Sequence, residues 1–208
     1  MLLVAPVAFV VSAAWETFAL RHVAPAVRLL LVGTSGTTAE TLLRDIRQGR
    51  AGGYELIGVV CPEEAPGEVA DQVRVLGRVD ELDRVIAEHR PDLVVSAGFM
   101  KIVGPAVLGR FEGRLLNTHP ALLPAFPGAH AVRDALASGV AVTGATVHLV
   151  DAGVDTGPVL AQREVTVRPD DDEGALHERI KIVERQLLVD TVAELATTDP
   201  TRRGRAPR

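Results

Sequence analysis

Cys61 is the only cysteine among 208 residues, so no internal disulfide framework is possible, and a single thiol fits a reducing compartment. Cys61 stands beside Pro62 with no basic neighbour in sequence, which makes it a small apolar filler rather than a nucleophile. Neither H-E-x-x-H nor a paired-cysteine spacing occurs, which leaves no metal signature. A broad basic field is missing as well. The formal net charge is -5 and opposite signs interleave, so the footprint that duplex nucleic acid requires is lacking. No G-x-G-x-x-G and no P-loop lysine follow the first apolar strand, which removes support for a dinucleotide or nucleoside triphosphate, and no internal repeat is present.

The apolar opening 1–14 (MLLVAPVAFVVSAA) has no positive charge before it, the first basic residue being Arg21. It is also too short and proline-interrupted for a membrane span. Residues 1–26 are therefore read as an appendage outside the fold, and the protein as cytoplasmic. With 47% hydrophobic residues, the remaining chain can bury one substantial core and favours one domain. That domain is expected over 27–196, with 197–208 a frayed, basic tail.

From Val27 onward apolar bursts alternate with helical periodicity, which predicts an α/β fold with a mostly parallel sheet covered by helices. Strands are expected at 28–32, 55–60, 73–76, 92–97, 115–117, 143–150 and 158–167. Helices are expected after the turn 33–38 with Leu42, Leu43 and Ile46 inward, at 80–89 before Pro91, around 131–138, and at 173–196. The last helix should bury Leu176, Ile180, Val183 and Leu187. The segment 61–78 is charged and turn-rich, as a surface connection would be.

Four constellations can carry chemistry. The strand–glycine–helix turn at 32–41 offers backbone amides to a phosphate, although an ordinary capped turn looks the same. Asn117 and His119, two apart at a strand end, lean to one side and can stabilise an oxyanion and move protons. Taken singly, an Asx-turn and a structural histidine are the plainer readings. Asp155 in a glycine-rich turn can stay ionised beside an imidazole; Asp151 is its rival, and both suit turns. His130 and His148 read as hydrogen-bonded structural residues. On the last helix Lys181 and Glu184 lie beside the buried stripe, able to hold a polar ligand or to form an exposed ion pair.

Extended stretches join these parts: 91–101 (PDLVVSAGFMK), 113–124 (GRLLNTHPALLP), 126–130 (FPGAH), 143–148 (TGATVH), 155–158 (DTGP) and 177–181 (HERIK). Over residues 27–196 the chain closely resembles the phosphoribosylglycinamide formyltransferase family, the folate-dependent transformylases of purine synthesis. The resemblance implies a Rossmann-like formyltransferase fold and direct formyl transfer from 10-formyltetrahydrofolate to the amine of glycinamide ribonucleotide, without metal or nucleic acid, in a monomer or homodimer. It implies that Asn117 and His119 polarise the formyl carbonyl, while Asp155 positions His119 and a proton-relaying water. It assigns Gly36, Thr37 and Thr38 to the substrate phosphate, Lys181 and Glu184 to the phosphoribosyl end, and Met100, Lys101, Ile102 and Val103 to the folate. Three departures stand out, the first being that residues 1–26 lie outside the resemblance. Thr38 puts a hydroxyl where the family usually has an amide, and 61–80 is shorter than usual. A formyltetrahydrofolate hydrolase is similar across the same centre but usually has a second histidine where Pro120 stands. A transformylase acting on methionyl-tRNA or an amino sugar is similar mainly at the Asn, His and Asp positions, and a binding-only relative would keep the fold with a changed phosphate loop.

Overall fold

Strand β1 (Val27–Gly33, VRLLLVG) is apolar at consecutive positions because both of its faces are covered. Leu29 and Leu31 enter one core cluster, and Leu30 and Val32 the other. The computed structural model describes residues 26–33, 44, 54–61, 73–97 and 104–198. Among these, seven strands form one sheet in the order β3-β2-β1-β4-β5-β6-β7, with β2 at Tyr54–Cys61, β3 at Val75–Arg78, β4 at Leu93–Ala97, β5 at Leu115–His119, β6 at Val142–Leu149 and β7 at Val159–Thr166. The pairs from β3 to β5 are parallel, while β5–β6 and β6–β7 are antiparallel. The fold is thus the expected Rossmann-like α/β architecture.

The chain builds outward from β1 on one side and then returns to add β4 on the other, so the strand order reverses between β1 and β4. Ligands of open α/β sheets bind beyond the carboxyl ends of strands at such a switch point. At that end Gly33 has φ +146, and a Cβ there would lie 1.9 Å from Ala97 O, so only glycine allows this approach.

Helix α1 (Leu82–His89) follows a 3-10 turn at Val79–Glu81, where Glu81 accepts the Arg78 amide proton at 3.0 Å. It stops at Arg90, in the left-handed region at φ 46, just before Pro91. Helix α2 (Pro105–Arg110) is not among the helices that the sequence pattern predicts; at six residues it is too short to show a period, and Pro105 at its first turn is its main signal. Both helices cover the same face, where Val85, Ile86, Val107 and Phe111 bury against Val60, Val94 and Leu115. Helix α3 (Ala131–Ala137) and the long α4 (Glu173–Thr198) contribute Val132, Leu176, Ile180 and Leu188 to the opposite cluster, against Leu116, Ala145 and Val147. The Asp172 carboxylate caps α4 by accepting the Ala175 amide proton at 2.7 Å. No helix among the described residues is long and apolar enough to cross a membrane.

Two strands depart from expectation. β3 begins two residues later than the apolar pattern suggests and runs through Gly77, which pairs with Val60. β5 continues through Thr118 and His119, because β6 supplies an antiparallel partner as far as Thr146. The expected helix after β1, the turn residues from Thr34 on, and the segments 1–25 and 199–208 lie outside the described residues.

Candidate active site on the second face of the sheet

Register explains which side chains meet. Asn117 and His119 share a face of β5 by the two-residue period of a strand. Directly opposed residues of neighbouring strands share a face too, and the pairs are Asn117 with His148 and His119 with Thr146. Asn117, His119, Thr146 and His148 therefore project to one face, the side on which Leu115 meets α1 and α2. Thr118 points the other way and donates its hydroxyl to the Glu184 carboxylate on α4.

Acceptor chemistry then sets the protons. His148 Nδ1 lies 2.9 Å from Leu149 O, and a carbonyl can only accept, so Nδ1 carries the hydrogen. Its Nε2 is left as the acceptor for Asn117 Nδ2–H at 3.3 Å. Burial pushes the His148 pKa below its ordinary value, which keeps the ring neutral and the acceptor available. One Asn117 N–H is thereby anchored, and the other has no partner among the described residues.

His119 is 4% exposed. Its Nε2–H donates to Phe126 O at 2.8 Å, and Nδ1 stands 3.3 Å from Asp155 Oδ2. Both ring nitrogens thus meet oxygen atoms, which fix the orientation of the ring. Asp155 Oδ2 also accepts the Gly128 amide proton at 2.8 Å, while Oδ1 lies 3.6 Å from His148 Nε2.

The turn that carries Asp155 is shaped by its neighbours. Asp155 sits at φ 53, a left-handed conformation that Asp and Asn adopt more readily than other side chains. Gly157 comes so near β6 that a Cβ would lie 1.9 Å from Leu149 O. The rival Asp151 holds the turn from within, accepting Gly153 N–H at 2.9 Å and the Thr156 hydroxyl at 2.8 Å. It takes the turn role, and Asp155 takes the place beside His119.

Asn117, His119 and Asp155 are thus brought together. Glu184 stands behind them through Thr118, with burial raising its pKa above the usual carboxylate range. Lys181 does not pair with Glu184; its Nζ donates to Glu178 at 2.7 Å. His130 is exposed at the start of α3. Gly36, Thr37, Thr38, Met100, Lys101, Ile102 and Val103 lie outside the described residues. On sequence, His148 reads as structural because it lies inside a strand. The signal that finds it is its register opposite Asn117, which a strand pattern alone does not carry.

Residues 63–192 match the family model described as Formyl transferase. The phosphoribosylglycinamide formyltransferase of Mycobacterium tuberculosis (strain H37Rv) is 71% identical over 119 residues, covering 57% of this chain and 55% of that protein. The aligned stretch thus spans about half the length of this curated relative. Among solved structures, glycinamide ribonucleotide transformylase 1 from Symbiobacterium toebii is similar with a TM-score of 0.76 and 34% identity, covering 83% of this chain and 88% of that one. The phosphoribosylglycinamide formyltransferase from Bacillus halodurans gives a TM-score of 0.74 and 34% identity over 82% of this chain and 96% of its own. With the family model matched across the site just described, the chain belongs to the formyl transferase family, among its phosphoribosylglycinamide formyltransferases.

Proposed function

We propose that this protein transfers a formyl group from 10-formyltetrahydrofolate to the amine of glycinamide ribonucleotide, a step of purine synthesis in the cytoplasm. The observation that carries the reading is the convergence of an anchored amide, a buried imidazole and a carboxylate on one face of the sheet. In this reading the substrate amine attacks the formyl carbon, a new C–N bond forms, and the carbonyl oxygen becomes an oxyanion. The free N–H of Asn117 and the positive field of His119 stabilise that charge. Asp155 keeps His119 oriented. As the tetrahedral centre collapses, the bond from carbon to the folate nitrogen breaks, and the proton lost by the amine passes through a bridging water held by Asp155 to that nitrogen.

The substrate's phosphoribosyl end is assigned to Gly36, Thr37, Thr38, Lys181 and Glu184, and the folate to Met100, Lys101, Ile102 and Val103. The support is the family membership and the position of Glu184, one strand residue behind the reacting face. The test is formyl transfer by purified protein, with and without the ribonucleotide. Formylated ribonucleotide should accumulate, and Asn117→Ala should lower kcat by ~10²–10³-fold, as loss of an oxyanion donor does. Release of formate to water at one rate whether or not the ribonucleotide is present would replace the reading by a hydrolase.

A further inference from the structure

The loop 120–128 after His119 holds both backbone groups that fix the site, Phe126 O on His119 and Gly128 N–H on Asp155. Phe126 sits at φ 54, which a bulky L-residue adopts only when its surroundings impose it. We propose that Thr146 and Gln162 are positioning residues for the reaction, forming a clamp that imposes this loop geometry and so orients His119.

The residues stand in one row across the sheet, because His119 pairs with Thr146 and Thr146 pairs with Gln162. Thr146 is fully buried. Its hydroxyl donates to Ala121 O at 2.6 Å and accepts Leu123 N–H at 3.1 Å and Gln162 Nε2–H at 3.0 Å. One donor and two acceptors exhaust a hydroxyl. Gln162 spends its second amide proton on Leu123 O at 2.7 Å. The amide orientation is unambiguous, since Leu123 O only accepts and the Thr146 proton is already given to Ala121. Three hydrogen bonds thus tie two loop residues to the row that contains His119, and a fourth joins Gln162 to Thr146 within that row. Gln162 is itself exposed on the edge strand, where an amide ordinarily faces water.

The kinetic consequence rests on the proposed formyl transfer; the structural one does not. Thr146→Val keeps the shape and removes all three hydroxyl bonds, and Gln162→Glu turns two donors into acceptors facing oxygen. Both are compared with Thr146→Ser, which keeps the hydroxyl, and with Glu164→Gln on the same exposed strand. Kinetics are read below the melting point of each variant, together with the ¹H–¹⁵N signal of the His119 Nε2–H. Thr146→Val should lose ~10–100-fold in kcat with KM for both substrates changed far less, since misplacement of a catalytic group by about 1 Å has such an effect. Gln162→Glu should lose a smaller multiple, and both should show faster exchange of the His119 proton. Thr146→Ser and Glu164→Gln should match the parent. If Thr146→Val does not fold, Gln162→Glu decides alone. Unchanged kcat and unchanged proton signal in Gln162→Glu, or equal losses in Thr146→Ser and Thr146→Val, would overturn the clamp. A parent protein that transfers no formyl group would sink the function reading, and the His119 signal would still judge the clamp.

Discussion

Replacing Asp155 by Asn and by Ala separates two jobs that one side chain performs. Asp155 faces His119 at 3.3 Å, with side chains 14% and 5% exposed respectively. Two unit charges ~4 Å apart interact by ~4 kcal/mol at an effective dielectric of ~20. Keeping both out of water offsets part of that, leaving ~2–3 kcal/mol for the charge itself. Asp155→Asn should therefore reduce kcat by ~30- to 150-fold. Asp155→Asn should destabilise less than Asp155→Ala, because Asn tolerates φ 53 and its side-chain oxygen can still accept the Gly128 proton. Asp155→Ala strands that proton and puts a Cβ without a polar partner in the left-handed region, together ~2 kcal/mol or more. In a domain of this size that lowers Tm by ~4–8 °C. Steady-state formyl transfer and thermal unfolding on the same preparations decide the matter. The reasoning is refuted if Asp155→Asn keeps activity within threefold of the parent, or melts as early as Asp155→Ala.

Glu184→Gln should move stability and function in opposite directions. Burial raises the Glu184 pKa above its unfolded value, so between the two pKa values the folded state holds a proton that the unfolded chain has lost. The stability this group contributes is complete below the unfolded pKa and is lost as pH rises through the folded one. Glu184→Gln should thus raise Tm at pH 8, leave it nearly unchanged at pH 4, and raise KM for glycinamide ribonucleotide; a Tm gain of equal size at both pH values would contradict the sign. Thr143→Val should raise Tm by ~2–4 °C, about 1 kcal/mol, because the buried Thr143 hydroxyl has no hydrogen-bond partner among the described residues; calorimetry showing a loss would mean the hydroxyl is satisfied.

Much of the sheet is legible in the sequence because buried parallel strands write themselves as unbroken apolar runs. Leu29 to Val32 and Leu93 to Val95 are buried on alternate faces yet contiguous in sequence. Helix α4 is equally plain, with Leu176, Ile180 and Leu187 at helical spacing, although Val183 is only partly buried. What the pattern does not carry is register. Strand periodicity tells that Asn117 and His119 share a face, but not that His148 and Thr146 stand opposite them, since pairing joins segments about 30 residues apart through contacts that neither strand alone specifies. For the same reason β5 reads two residues shorter than it is. Asp155 and Asp151 differ in nothing local, and only the close approach of Gly157 to Leu149 and the φ of 53 decide which carboxylate reaches the face.

The hydrogen-bonding state of the described groups around the site bears on how the bond is made. A covalent route through the enzyme needs a side chain with a free lone pair and a proton to shed. The Thr146 hydroxyl gives its proton to Ala121 O and fills both acceptor positions, and the Thr118 hydroxyl donates to Glu184 on the far face. His119 meets an oxygen at each nitrogen, so both nitrogens are already engaged. The lone pair of His148 is spent on Asn117. Cys61 packs in the cluster on the opposite face, with its thiol pKa raised by burial. Asp155 keeps a carboxylate oxygen, but His119 and Gly128 hold the group in place as a charge partner. Among the described residues the site offers one amide proton without a partner and an imidazole held by a carboxylate, which suits an incoming nucleophile supplied by the substrate and an oxyanion that exists only while the carbon is tetrahedral.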